Sequence, residues 1–146
     1  MEILAKNTSK NKKVAELILQ RLKEKNSNLL LLKGDLGSGK TTITQEIGKL
    51  LGVEMNINSP TFVIERIHDI RSERTLHEFK KLRHIDLYRL WDKEEVENLG
   101  IFEELENKET LYIVEWPEII EKDLNKNAVT VKIGVVEENS RLFKIN

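Results

Sequence analysis

Cysteine is absent from the 146-residue sequence, and its absence excludes several kinds of chemistry. Without thiols the chain has no disulfide, no cysteine nucleophile and no cysteine metal site, which suits a reducing compartment, and we expect a cytoplasmic protein. Apolar runs of membrane-spanning length are also missing, and Met1 to Asn11 lacks the apolar core of a signal peptide. The formal net charge of −1 offers no basic excess of the kind that nucleic-acid binders carry.

Proline occurs twice and aromatic residues make up 5% of the chain, whereas charged residues of both signs make up 34%. Neither repeats nor low-complexity tracts divide the sequence. The length therefore predicts a single domain, residues 1–146, that is large enough to bury a core.

Glycine is sparse but clusters in the stretch that organises the chain. Gly34 to Thr41 spells GDLGSGKT and matches G-x-x-x-x-G-K-[ST] at every fixed position. The leucines at 29–32 predict a buried strand before it, and apolar residues at helical spacing predict a helix after it that ends near Gly52. A strand before the loop and a helix after it make a chance match improbable.

The chemistry of this stretch is phosphate binding. Glycine lets the backbone curl so that its N–H groups point inward, and the helix adds the positive end of its dipole. We expect Lys40 to reach the β- and γ-phosphates of a nucleotide, and the Thr41 hydroxyl to coordinate Mg²⁺. The predicted phosphate-binding residues are Asp35, Leu36, Gly37, Ser38, Gly39, Lys40, Thr41 and Thr42.

Apolar patterns elsewhere predict the rest of the fold. Thr8 or Ser9 is expected to cap a first helix, and Asp92 to begin a short one in which Val96 and Leu99 face inward. Further strands are expected at Met1–Leu4, Phe62–Ile67, Leu82–Leu87, Leu111–Val114, Val129–Val135 and, at the sheet edge, Leu142–Ile145, with a polar loop at His68–Lys81. Together they predict an α/β protein with the three-layer fold of P-loop NTPases: a mostly parallel sheet flanked by helices, with antiparallel hairpin strands added.

Hydrolysis would need carboxylates as well as a phosphate loop, to hold the water shell of the metal and to assist the attacking water. Such groups lie at the C-terminal ends of strands beside the loop. Glu115 follows the apolar run from Leu111 to Val114, and Asp86 ends a less apolar strand. We expect both to be catalytic, together with Lys40, and to lie at the metal. Either could instead be a surface acid, and the residues alone do not decide which is the main acid.

Other candidates have equally plain structural explanations. Ser59-Pro60-Thr61 could act as a switch that senses the γ-phosphate, or could be a turn before a strand. Trp116 could cover a ligand or pack into the core. His84 could position other groups or be structural, while His68 and His77 are expected to face solvent, and the three histidines lack metal-ligand spacing.

Five motifs, taken in order and spacing, resemble the TsaE family, also called YjeE, of small bacterial P-loop ATPases. They are GDLGSGKTT at 34–42, NSPTF at 58–62, HIDLYRL at 84–90, ENLGI at 97–101 and VEWPE at 114–118. The first motif alone is specific, and the likeness runs from Leu29 to Glu118.

The resemblance implies ATP with Mg²⁺, weak intrinsic turnover, and a role in threonylcarbamoyladenosine modification of tRNA. The implied partners are a TsaD-type threonylcarbamoyl transferase and a TsaB-type protein, with tRNA met indirectly through their complex and no membrane. By the same resemblance Thr41 and Glu115 would coordinate magnesium, and Asp86 would assist hydrolysis with or without direct metal contact. Ser59 to Thr61 would be the switch and Trp116 would lie at the edge of the site.

A small-molecule kinase of P-loop type is the main alternative, because Arg71, Arg74 and Arg83 could be taken for lid arginines. The chain is short for a kinase with both a lid and an acceptor domain. A GTPase switch is disfavoured because no N/TKxD guanine-reading signature occurs. A regulatory nucleotide-binding module without catalysis stays open, with Glu115 and Asp86 arguing weakly against it.

Overall fold

A computed structural model describes residues 1–53, 57–58, 64–71, 79–124 and 127–146. The strands are β1 (Glu2–Ala5), β2 (Leu29–Lys33), β3 (Glu65–Asp69), β4 (Lys81–Asp86), β5 (Thr110–Glu115), β6 (Val129–Glu137) and β7 (Ser140–Ile145). The helices are α1 (Asn11–Glu24), α2 (Lys40–Leu51), α3 (Lys93–Glu97) and α4 (Ile101–Glu104), with short 3-10 turns at Thr8–Lys10, Pro117–Ile119 and Glu121–Asp123. None of the helices in these ranges has the length and apolarity to cross a membrane.

The strands form one mixed sheet in the order β1-β7-β6-β2-β5-β4-β3. Its central strands β6, β2, β5 and β4 run parallel to one another. Antiparallel pairing adds β3 on one side and β7 with β1 on the other. The predicted α/β sheet with added antiparallel strands is confirmed, but β7 is not the predicted edge strand because β1 pairs with its outer side.

Both faces of the central sheet are covered, which explains the continuous apolar run of β2. Leu30 and Leu32 belong to a core shared with α1 and α2. Leu29 and Leu31 belong to a second core, which Val96 of α3 helps to close. Strands buried on both faces are apolar throughout rather than alternating. Because β2, β4 and β5 are parallel, their C-terminal ends lie at the same edge of the sheet, where α2 begins.

The predicted cap of α1 is wrong. Lys10, rather than Thr8 or Ser9, flanks the helix without a side-chain capping bond of its own, because Thr8–Lys10 form a 3-10 turn that continues into α1. The Ser9 hydroxyl donates to the Asn7 side chain instead. The sequence pattern placed the helix correctly but assigned the wrong start.

The predicted start of α3 is confirmed, since the Asp92 carboxylate accepts a hydrogen bond from the Glu95 backbone N–H at 2.9 Å. The Glu95 carboxylate in turn accepts from the Trp91 N–H at 2.9 Å. Leu99, however, is 38% exposed rather than inward-facing. The reason is that α3 ends at Glu97, so helical spacing no longer directs that side chain inward.

The predicted polar loop is shorter than expected, because β3 continues through Asp69 and β4 already begins at Lys81. His68 is half-buried rather than solvent-facing, and burial, with His84 and Arg66 nearby, lowers the pKa of its imidazole. Residues 72–78, which include the possible lid residue Arg74 and His77, lie outside the described residues. So do residues 59–63, which hold the predicted switch Ser59-Pro60-Thr61 and the start of the predicted strand.

Candidate functional site

The glycine-rich loop between β2 and α2 has backbone conformations that glycine adopts more easily than other residues do. Gly34, Gly37 and Gly39 have φ angles of 146°, 76° and 103°, which side-chain-bearing residues disfavour. A Cβ atom on Gly34 would also collide with the carbonyl oxygen of Ile133 in β6 and lie 2.7 Å from the Ser38 hydroxyl. Because Gly39 directly precedes α2, this curled backbone leads straight into the first turn of the helix.

Replacing Gly34 by alanine should therefore lower the free energy of unfolding by about 2–4 kcal/mol, the sum of backbone strain and a steric collision. Gly37→Ala is the matched control, since its φ is also positive but an added Cβ would meet no atom within 4 Å. We expect that control to lose only about 1 kcal/mol. Urea unfolding followed by circular dichroism measures both losses. Equal losses would show that contact with β6 does not restrict Gly34.

Lys40 is folded back into the loop. Its Nζ donates to the carbonyl oxygens of Gly34 at 2.7 Å and Asp35 at 3.1 Å, and it lies 4.1 Å from the centroid of the Trp116 ring. Burial lowers the pKa of the ammonium group, and nearby carboxylates, led by Glu115, oppose that change. The loop therefore encloses a cation for which a phosphate would be a stronger partner than the two carbonyls.

The adjacent ends of β4 and β5 place two acids side by side. The strand register pairs Asp86 with Glu115. Glu115 Oε1 accepts hydrogen bonds from Thr41 Oγ1 at 3.0 Å and from His84 Nε2 at 2.7 Å. Asp86 Oδ1 accepts from the Tyr88 N–H at 3.0 Å. Both acids are at most 3% exposed, so neither is a surface acid.

These groups line one cavity of about 220 Å³ in front of the loop. Its lining residues are Leu36, Gly37, Gly39, Lys40, Thr41, Thr42, Asp86, Tyr88, Glu115 and Trp116. Two predicted site residues, Asp35 and Ser38, do not line this cavity: Asp35 accepts from Lys40 through its carbonyl oxygen, and Ser38 is buried within the loop. Tyr88 was not predicted; its ring lies 5.0 Å from that of Trp116, and its position two residues after Asp86 was the available signal.

A second cavity of about 130 Å³ lies against the loop and shares Gly37, Gly39 and Thr42 with the first. Arg141 of β7 lines it and donates from Nε to the Ser38 carbonyl oxygen at 3.1 Å. This contact ties the antiparallel part of the sheet to the loop. The glycine-rich loop thus contributes to two neighbouring cavities, and the first of them holds the acids.

Among the described residues, no group of three or more His, Asp or Glu side chains is arranged to hold a metal ion. Thr41 and Glu115 nevertheless present oxygen atoms 3.0 Å apart, with Asp86 next to Glu115. Mg²⁺ prefers oxygen ligands, and it usually combines one or two carboxylates with waters and phosphate oxygens. The side chains therefore fit a magnesium ion that arrives with a nucleotide better than an ion held by protein alone.

The fold and the site together define a class of protein. It is a mixed α/β protein whose central strand leads through a glycine-rich loop into a helix, with buried acids at the ends of neighbouring strands. A family model described as "Threonylcarbamoyl adenosine biosynthesis protein TsaE" matches residues 5–143. The chain therefore belongs to the TsaE family, in agreement with the resemblance of its motifs.

Several relatives carry the name tRNA threonylcarbamoyladenosine biosynthesis protein TsaE. The protein from Rickettsia felis is 40% identical over 98% of this chain and 78% of its own length. The Bacillus subtilis protein is 33% identical over 92% of this chain and 78% of its own. The crystal structure of YdiB from Bacillus subtilis superposes with a TM-score of 0.68 and 22% identity, covering 99% of this chain and 83% of that one, which supports the fold alone.

Proposed function

We propose that this protein is a Mg²⁺-dependent ATPase that supports threonylcarbamoyladenosine modification of tRNA in complex with a TsaD-type transferase and a TsaB-type protein. The observation that carries the proposal is that Lys40, Thr41, Asp86 and Glu115 line the same cavity. Membership of a family named for threonylcarbamoyladenosine biosynthesis supports the pathway. The proposal assigns the sheet to the P-loop NTPase fold and places the protein in the cytoplasm, with tRNA met through the complex.

Each side chain in the cavity would have a distinct task. Lys40 would leave the two loop carbonyls and donate to the β- and γ-phosphates, joined by backbone N–H groups of residues 35–42. Thr41 and Glu115 would hold the magnesium ion, with Asp86 beside them to orient water. When bound, that ion supplies charge neutralisation on the phosphate oxygens. Trp116 and Tyr88 line the cavity and would contact the bound nucleotide. Ser59-Pro60-Thr61 is retained as the proposed switch.

The second cavity is our proposed place for the adenosine. A nucleotide whose phosphates follow the loop has its γ-phosphate at one end and its base at the other. Since the two cavities share loop residues and the acids line only the first, the base would enter the second, beside Asn11 and Arg141.

Partner dependence has a physical rationale in the cavity itself. Among the described residues that line it, none is an arginine. An arginine that neutralises charge in the transition state is worth about 10³-fold or more in rate. We therefore expect slow hydrolysis by the isolated chain and faster hydrolysis when partners complete the site.

Phosphate release from ATP and Mg²⁺, measured with and without the purified transferase pair, tests this expectation. We predict slow release alone and release at least about tenfold faster in the complex, with no stimulation of the Lys40→Ala variant. Equal rates with and without the pair would contradict the proposed partner dependence. No phosphate release in either condition would contradict the ATPase itself.

A small-molecule kinase remains the second candidate, and one observation weakens it. Arg83, one of the arginines that could be taken for a lid, is 5% exposed and pairs with Glu65 within the sheet. A buried, paired guanidinium cannot close over a nucleotide. Rapid phosphate transfer to an added metabolite, in place of release to water, would nevertheless favour the kinase.

A further inference from the structure

His84 is fully buried, and its described hydrogen bond goes to one acid of the site. Its side chain is 0% exposed and its Nε2 lies 2.7 Å from Glu115 Oε1. Because a carboxylate oxygen accepts, the imidazole donates from Nε2. The other ring nitrogen, Nδ1, is buried without a hydrogen-bond partner among the described residues. Burying such a polar atom without a partner is unfavourable, so an apolar side chain would serve packing better than histidine does here.

The strand register explains how the imidazole reaches this acid. His84 of β4 is paired with Ile113 of β5, and Glu115 is two residues further along β5 on the same face. The contact of 2.7 Å between His84 Nε2 and Glu115 Oε1 spans this diagonal of the parallel pair. His84 therefore contacts Glu115 from the neighbouring strand β4, whereas Thr41 contacts it from the first turn of α2.

Thr41 and His84 donate to the same atom, Glu115 Oε1. In the proposed function the Thr41 hydroxyl has two tasks, since an oxygen lone pair would serve the metal while the O–H donates to Glu115. His84 has no second task of this kind in the cavity, since it does not line it. It is therefore the donor whose contact with Glu115 is dedicated to holding the carboxylate.

We infer that His84 is a positioning residue, which holds the Glu115 carboxylate in the orientation that Mg²⁺ binding requires. The inference rests on the proposed function and deepens it, because it assigns to a residue outside the cavity part of the affinity for metal. Groups that orient metal ligands typically contribute about 10- to 100-fold to metal affinity.

Two variants with the same amide group but different reach test this inference. In His84→Gln the amide nitrogen lies about where Nε2 lies and can donate to Glu115, whereas in His84→Asn it lies nearer the position of Nδ1 and falls short. Calorimetry of a non-hydrolysable ATP analogue is repeated over a range of Mg²⁺ concentrations. It gives the Mg²⁺ concentration at which the affinity for the analogue is enhanced half-maximally. The same titration in EDTA gives nucleotide affinity without metal.

We expect His84→Asn to raise the half-saturating Mg²⁺ concentration by about 10- to 100-fold and His84→Gln to stay within about threefold of the wild type. Affinity in EDTA should change less than about twofold in both. If His84→Asn does not fold by circular dichroism, His84→Phe replaces it, because that ring keeps the shape without a donor.

If nucleotide binding by His84→Asn or His84→Phe depended on Mg²⁺ as it does in the wild type, the inference would be overturned, whereas the proposed function would stand. Equal losses in His84→Gln and His84→Asn would also overturn it, since they would show a packing role. If the wild type itself bound the analogue without any response to Mg²⁺, or did not bind it, the proposed function would fail and the inference with it.

Discussion

Replacing Lys40 by alanine should raise the dissociation constant for ATP by about 10- to 100-fold, since hydrogen bonds to charged groups contribute about 1.5–3 kcal/mol. The ammonium group already lies inside the loop, where it contacts the Gly34 and Asp35 carbonyl oxygens and the face of Trp116. No large reorganisation is needed for it to reach a phosphate. Calorimetric titration with ATP and Mg²⁺ measures the change.

Lys49→Ala is the matched control for this measurement. Lys49 lies on the same helix, its side chain is 70% exposed, and it pairs only with Glu46 among the described residues. Its loss should leave ATP affinity within about twofold of the wild type, because exposed pairs of this kind contribute little. If Lys40→Ala bound ATP as tightly as Lys49→Ala, the glycine-rich loop would not be the nucleotide site.

Replacing Glu115 by glutamine should lower the rate of ATP hydrolysis by about 100-fold or more, as removal of one preorganised group at a reacting centre commonly does. The amide keeps the size and an acceptor oxygen for Thr41 and His84, so packing at the end of β5 is retained. It removes the negative charge that a metal ion requires. Single-turnover hydrolysis, in the presence of the partner proteins, separates this effect from nucleotide binding.

Glu94→Gln on the exposed face of α3 is the control for Glu115→Gln, because it removes the same charge away from the cavity. We expect less than about a twofold change in its rate. Circular dichroism of both variants should match the wild type. Loss of the fold in Glu115→Gln, or a rate equal to that of Glu94→Gln, would make Glu115 a structural residue rather than a catalytic one.

The fold was predictable where one physical signal dominated. The continuous apolar runs of β2 and β5 required strands covered on both faces, and the glycine pattern required a curled backbone before α2. The placement of Glu115 and Asp86 followed from the same rule, since the C-terminal ends of parallel strands share one edge of the sheet.

The parts that could not be predicted depend on contacts between distant segments. β7 is an interior strand only because β1 pairs with it, and Met1–Leu4 gave no sign of which edge it would join. The burial of His84 depends on the register between β4 and β5, which the sequence of either strand leaves open. The start of α1 depended on local geometry, as a 3-10 turn replaced the expected hydroxyl cap.

The most direct test of the central claim is a crystal structure with a non-hydrolysable ATP analogue and Mn²⁺ in place of Mg²⁺, because anomalous scattering locates Mn²⁺ without ambiguity. We predict the triphosphate along residues 35–42 and the Mn²⁺ ion at the Thr41 hydroxyl, facing Glu115. A nucleotide bound elsewhere, or a metal ion remote from both Glu115 and Asp86, would contradict the account.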